Sequence, residues 1–92
     1  MASIELTRHL FQFFPQLADR PIEVEAATVA EAVKALELQA PGIGFYLCDE
    51  RGRLRPHVNI FVGKEAVRDR FGLSDAIGPT DRLFILQALS GG

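Results

Sequence analysis

The sequence predicts an α+β domain: a mixed sheet of four to five strands, one main helix packed on one face, and a flexible C-terminal Gly-Gly tail. Three observations carry this. Short runs of alternating apolar and polar residues recur, as in Ile4-Glu5-Leu6, Ile22-Glu23-Val24 and Val58-Asn59-Ile60. A two-residue period is the mark of a half-buried strand. One stretch, opening at Thr28, instead spaces its apolar residues for a helix. The closing run 82–89 is nearly all apolar, as strands at the centre of a sheet are.

The elements follow in order. Residues 3–8 form the first strand, with Ile4 and Leu6 on one side and Glu5 and Thr7 on the other. The run 9–14 either extends it or forms a helical turn, and periodicity does not choose between them. Pro15 ends it either way. Pro21 opens a second strand over 22–25.

Thr28-Val29-Ala30-Glu31 reads as a capping box. The threonine hydroxyl accepts from the Glu31 amide, and the glutamate reaches back to the amide of Thr28. The helix then buries Val29, Ala32, Val33, Leu36 and Ala40 as one stripe. Pro41-Gly42 stops it.

Residues 44–48 read as a short strand, and Asp49-Glu50-Arg51-Gly52 as a turn with glycine supplying positive φ. The return strand covers 54–62, with Val58, Ile60 and Val62 on one face. Residues 66–77 are irregular, with room for one helical turn. Gly78-Pro79-Thr80-Asp81 is a second turn, and the last strand follows it. Five strands and one helix in 92 residues leave the helix on one sheet face. A central last strand lies beside the first. That is the β-grasp, or ubiquitin-like, arrangement, here as one domain over 1–92 with 89–92 as its tail.

Composition narrows the function. Ten basic residues against twelve acidic leave a net charge of −2, too balanced to hold nucleic acid by neutralising phosphates. No apolar run approaches the roughly 20 residues of a membrane helix. The start, Met1-Ala2-Ser3-Ile4-Glu5, is not a secretory signal. One cysteine excludes an internal disulfide, and with two histidines a zinc site is not expected. A cytoplasmic setting fits these features.

The chemistry points to the end of the chain, Gly91-Gly92. Two glycines are the thinnest and most permissive peptide available. Such a tail threads into a narrow pocket of another enzyme and presents the Gly92 carboxylate there. A carboxylate is a poor acyl donor at neutral pH, so it must first attack the α-phosphate of ATP to become an acyl-adenylate. A sulfur or amine nucleophile then takes the acyl group.

Several stretches together resemble the MoaD/ThiS family of ubiquitin-like sulfur carriers. They are Thr28-Val29-Ala30-Glu31-Ala32-Val33 at the helix start, Val58-Asn59-Ile60-Phe61-Val62 in the return strand, and the turn ending at Asp81. The apolar last strand and the tail Ala88-Leu89-Ser90-Gly91-Gly92 complete the likeness. Ser90 stands where the family often has alanine. The resemblance implies that a ubiquitin-activating-type enzyme adenylates Gly92. A persulfide donor enzyme then makes a C-terminal thiocarboxylate, and a downstream enzyme passes its sulfur into a cofactor or metabolite such as molybdopterin, thiamine or cysteine. On this reading the protein is a co-substrate rather than an enzyme. It binds no cofactor or metal, and the ATP is used by the activating enzyme. The competing reading is a protein modifier, ligated through Gly92 to lysines of other proteins. A plain binding module with an incidental Gly-Gly is the third.

The expected partner face follows from alternation on the last strand. If Leu83 and Ile85 face the helix, Phe84, Leu86 and Ala88 lie on the open sheet face, leading into Leu89 and Ser90. Exposed apolar groups beside a reactive end mark a docking site, and Thr7 and His9 border it. Alternatively Phe11, Phe13 or Phe14 folds over this face. Cys48 reads as a small packed hydrophobe, and His57 lacks the acid or nucleophile partner of a general base. Arg51, Arg53 and Arg55 read as a charged sheet edge that discourages pairing, or as a greeting to an acidic partner. Arg68 and Arg70 are expected to be compensated by Glu65 and Asp69.

Overall fold

The computed structural model describes residues 1–87. Five strands form one mixed sheet in the order β2-β1-β5-β3-β4. They are β1 Ala2–Leu6, β2 Ile22–Val24, β3 Val58–Val62, β4 Glu65–Ala66 and β5 Arg82–Gln87. Three helices accompany them: α1 Leu10–Phe13, α2 Val29–Gln39 and α3 Ile43–Leu47, with a 3-10 turn at Pro15–Leu17. β5 is central, parallel to β1 and antiparallel to β3. The expected β-grasp layout is therefore present.

α2 starts where its cap residue was read. Thr28 Oγ1 accepts from the Glu31 amide at 3.2 Å. The return half of the box shifts by one residue, since Glu31 Oε1 accepts from the Ala27 amide, not that of Thr28. The long loop before β5 satisfies the next amides of the helix: Val29 donates to the Asp75 carbonyl and Ala30 to that of Leu73. A helix start needs such partners, and this pair ties α2 to the loop.

The core lies between α2 and the sheet. Val29, Ala32 and Leu36 share it with Ala2, Ile4, Val58, Ile60, Leu83 and Ile85, all buried. Val33, expected in the stripe, is half-buried, and Ala40 is buried at the helix C-cap. Complete burial of this many branched side chains is the main stabilising contribution of the fold.

The structure corrects the expected strand over 44–48, which is helix α3. Ile43 and Leu47 stand four residues apart and are fully buried, whereas Phe45 between them is 64% exposed. Gly42 starts the helix at φ +101°, a conformation glycine adopts readily. Glu37 at the end of α2 accepts from the amides of Gly42 and Gly44. A carboxylate from another element thus replaces the missing helical acceptors. The return strand is also shorter than expected. Leu54 makes only an isolated bridge to Cys48, and regular pairing starts at Val58. Residues 9–14 resolve into the helical alternative, α1. The first strand spans Ala2–Leu6 and the second Ile22–Val24, each shorter at its C-terminal end than read. The turn at 49–52 is present, with Gly52 at φ +81°. Residues 67–77 contain no helix, and β4 is a two-residue strand the sequence did not announce.

Candidate partner-docking site

The site is built around the end of β5. Leu83 and Ile85 are buried under α2, so Phe84 and Leu86 fall on the opposite sheet face, as the alternation requires. On that face Glu5, Phe84 and Phe61 stand side by side in register, and Asn59 lies beside Leu86. Phe84 is half-buried, with the Arg82 guanidinium 5.7 Å from its ring centre. Arg82 also pairs with Glu5 at 3.1 Å. Leu86 is 46% exposed. Glu5, Leu6, Phe11, Pro21, Phe84 and Leu86 line a groove of about 500 Å³. Phe11 walls the groove without covering Leu86. Phe13 and Phe14 turn the other way, to within 6 Å of the Tyr46 ring centre. The phenylalanines therefore leave Leu86 on the open face uncovered.

Thr7 is tied into the sheet. Its hydroxyl accepts from the Gln87 amide at 2.9 Å and donates to the Ile85 carbonyl at 3.2 Å. It thus extends the β1 pairing to β5 by one rung through a side chain and holds the last described residue of β5 in line. His9 is half-buried, and its Nδ1 has no partner among the described residues, as is true of Gln87 Oε1. Ala88, Leu89, Ser90, Gly91 and Gly92, expected to continue the site, lie outside the described residues.

On the helix side of the same sheet end, Phe45, Tyr46, Arg55, His57 and Gln87 line a second groove of about 350 Å³. Sequence reasoning missed this wall because it placed 44–48 in a strand. The available signal was Ile43 and Leu47 at helical spacing. Arg55 is held rigidly here: Nε and Nη2 both donate to the Phe45 carbonyl, and the guanidinium stacks 5.6 Å from the Phe45 ring centre.

The expected local compensation of Arg68 and Arg70 is not what forms. Asp69 and Asp75 spend their oxygens on backbone amides instead. Asp69 accepts from Phe71, Gly72 and Ser74, and Asp75 from Arg68 and Asp69. Arg70 crosses to β3, donating to Asn59 Oδ1 and to the carbonyls of Arg55 and Val58. Cys48 is buried, and burial raises its thiol pKa, the opposite of an activated nucleophile. No group of three or more metal-ligating side chains occurs among the described residues, and none of their helices is long and apolar enough to cross a membrane.

The ThiS family model matches residues 11–92. The chain is a member of the ThiS family. This ThiS-family chain is 35% identical over 75 residues to the sulfur carrier protein CysO of Mycobacterium tuberculosis, a match covering 79% of this chain and 81% of that protein. Among solved structures it resembles the BexX/CysO complex of Amycolatopsis orientalis, with 28% identity, a TM-score of 0.84 and complete coverage of both chains. It also resembles SAMP1 of Haloferax volcanii, at 26% identity and TM-score 0.78, covering 99% of this chain and 98% of that one. The CysO relatives are named sulfur carrier proteins, and the fold described above matches the CysO structures of Amycolatopsis orientalis and Mycobacterium tuberculosis at TM-scores of 0.84 and 0.82.

Proposed function

We propose that this chain carries sulfur on the carboxylate of Gly92. The observation that supports this best is a ThiS-family chain in which Gly91-Gly92 is separated from the central strand β5 by only three residues. In the proposed cycle, a ubiquitin-activating-type enzyme binds the open face at Phe84 and Leu86 and receives the tail. The Gly92 carboxylate attacks the α-phosphorus of ATP and pyrophosphate leaves. The terminal sulfur of a persulfide then attacks the acyl-adenylate and AMP leaves, giving an acyl disulfide. A second thiol attacks the outer sulfur. It releases the thiocarboxylate and leaves a disulfide behind. The sulfur passes on to the biosynthesis of a sulfur-containing cofactor or metabolite. The relatives named sulfur carrier protein CysO favour this use of the tail, and the neighbour solved as a BexX/CysO complex supports docking to a partner protein.

A second reading shares the adenylate and differs in the nucleophile: a lysine amine of a target protein. The likeness to SAMP1, a small archaeal modifier protein, supports it. One experiment separates the two. The chain is incubated with a purified activating enzyme of its host, ATP and a sulfur source, and its intact mass is measured. A gain equal to one oxygen-to-sulfur exchange, mapped to Gly92, is the expected result. High-mass adducts through Gly92 with no such exchange would favour ligation. A variant lacking Gly92 that performs as well as the full chain would overturn both.

A further inference from the structure

The basic residues at 51–55 have a partner role that the topology brings out. A charged sheet edge would explain them, but the free edges of the described sheet are β2 and β4. Arg51, Arg53 and Arg55 belong to none of the five strands. Arg53 is paired with Asp49 at 3.1 Å. Arg55 is not: both described bonds of its guanidinium go to the neutral Phe45 carbonyl. The same holds for Arg70, whose described acceptors are two carbonyls and an amide oxygen. Among the described residues neither guanidinium has a carboxylate within ion-pair distance. Neutral acceptors fix the direction of a guanidinium and leave its charge uncompensated.

Their position gives that charge a use. Arg55 and His57 line the groove that Gln87 enters from the end of β5. Arg70 bonds the side chain of Asn59, the residue paired with Leu86 on the open face. The three side chains therefore border the sheet end from which the tail departs. Exposed Leu86 lies on one face and exposed Phe45 on the other. On the open face, Leu86 with Arg70 bonded to its cross-strand neighbour Asn59 has the apolar patch and polar rim of a protein interface.

We propose that Arg55, His57 and Arg70 form a second recognition element, which takes an acidic surface of the enzyme that activates the tail. This rests on the tail reading above. The rim steers the encounter and sets the orientation in which Gly92 is delivered, while the apolar face supplies contact area. Opposite charges at an interface rim act mainly on association and register.

The test uses ATP–pyrophosphate exchange by the purified host activating enzyme, measured against carrier concentration. His57→Glu is the chosen variant, because His57 is exposed and no side-chain hydrogen bond of it is described. Lys64→Glu is the control. It follows the other end of β3, where Gly63 bonds Arg82 at the start of β5. His57→Glu should raise the half-saturating carrier concentration by about tenfold, with kcat within about twofold. Lys64→Glu should match wild type. His57→Lys should lower the half-saturating concentration, a gain that a damaged fold does not produce. Exchange with wild type that is the same for all three variants overturns this proposal alone. Exchange with no chain at all overturns the tail reading, and this proposal with it.

Discussion

The Glu37 carboxylate accepts a hydrogen bond from the Gly44 amide at 2.7 Å, joining the end of α2 to the start of α3. Its other oxygen accepts from Gly42 at 2.8 Å. A Cβ added at Gly44 would stand 2.9 Å from Glu37 Oε1, so the glycine is what lets the carboxylate approach. This joint sets the position of Phe45 and Tyr46, and with them the helix-side groove.

Glu37→Gln should cost about 1 kcal/mol, the lower range for a bond to a charged group in a solvated setting. The amide of Gly42, then that of Gly44, lowers the Glu37 pKa below its ordinary 4.5. A lowered folded-state pKa adds stability above the unfolded value, and that stability is lost as pH falls through the folded one. Urea denaturation should therefore show the wild-type advantage over Glu37→Gln at neutral pH. The two should converge in acid, below pH 4.5.

Asp69 gives the loop before β5 its own acid limit. The Gly72 amide, the Ser74 hydroxyl and amide, and the Phe71 amide hold its pKa down from 3.8 to about 2. Its contribution is complete above pH 3.8 and is lost as pH falls to about 2. Asp69→Asn should melt at a lower temperature than wild type at neutral pH and match it below the folded-state pKa. A constant gap between the two melting curves across that window would exclude the assignment.

Helix α3 makes opposite demands on neighbouring positions. Leu47 is fully buried and Phe45 is 64% exposed. Leu47→Ala should cost about 2–5 kcal/mol by leaving a cavity. Phe45→Ser should stay within about 0.5 kcal/mol, as exposed sites do. Chemical denaturation of the pair reads the difference directly.

Leu86 is exposed on the face opposite α2, so Leu86→Glu should leave the fold intact while damaging docking. Adenylation of the tail at sub-saturating carrier should drop at least about tenfold, the size of one lost hot-spot contact. A Leu86→Glu chain that melts as wild type and is adenylated at the wild-type rate would move the docking face elsewhere.

Much was legible in the chain because it depends on neighbours in sequence. The two-residue period of Ile22-Glu23-Val24 and of Val58-Asn59-Ile60 selects strands, and Thr28 with Glu31 starts α2 within one bond of the expected pattern. The alternation of Leu83, Phe84, Ile85 and Leu86 assigns each its face once a single helix covers the sheet. The family likeness is likewise carried by linear motifs.

Other features depend on residues far apart in sequence, and only the tertiary structure decided them. Gly44-Phe45-Tyr46-Leu47-Cys48 suits a strand by composition. It is helical because Glu37 supplies its first amides with an acceptor and the core takes Ile43 and Leu47 together. Arg70 leaves its acidic sequence neighbour Asp69 for Asn59 and two carbonyls, because loop amides bind that carboxylate first. The sequence by itself determined helix α2, the strands β1, β2, β3 and β5 with the faces of their residues, and the family. The tertiary structure decided which charges lack an ion-pair partner among the described residues near the end of β5, because a side chain's partner is set by what the fold brings within reach, not by what precedes it in the chain.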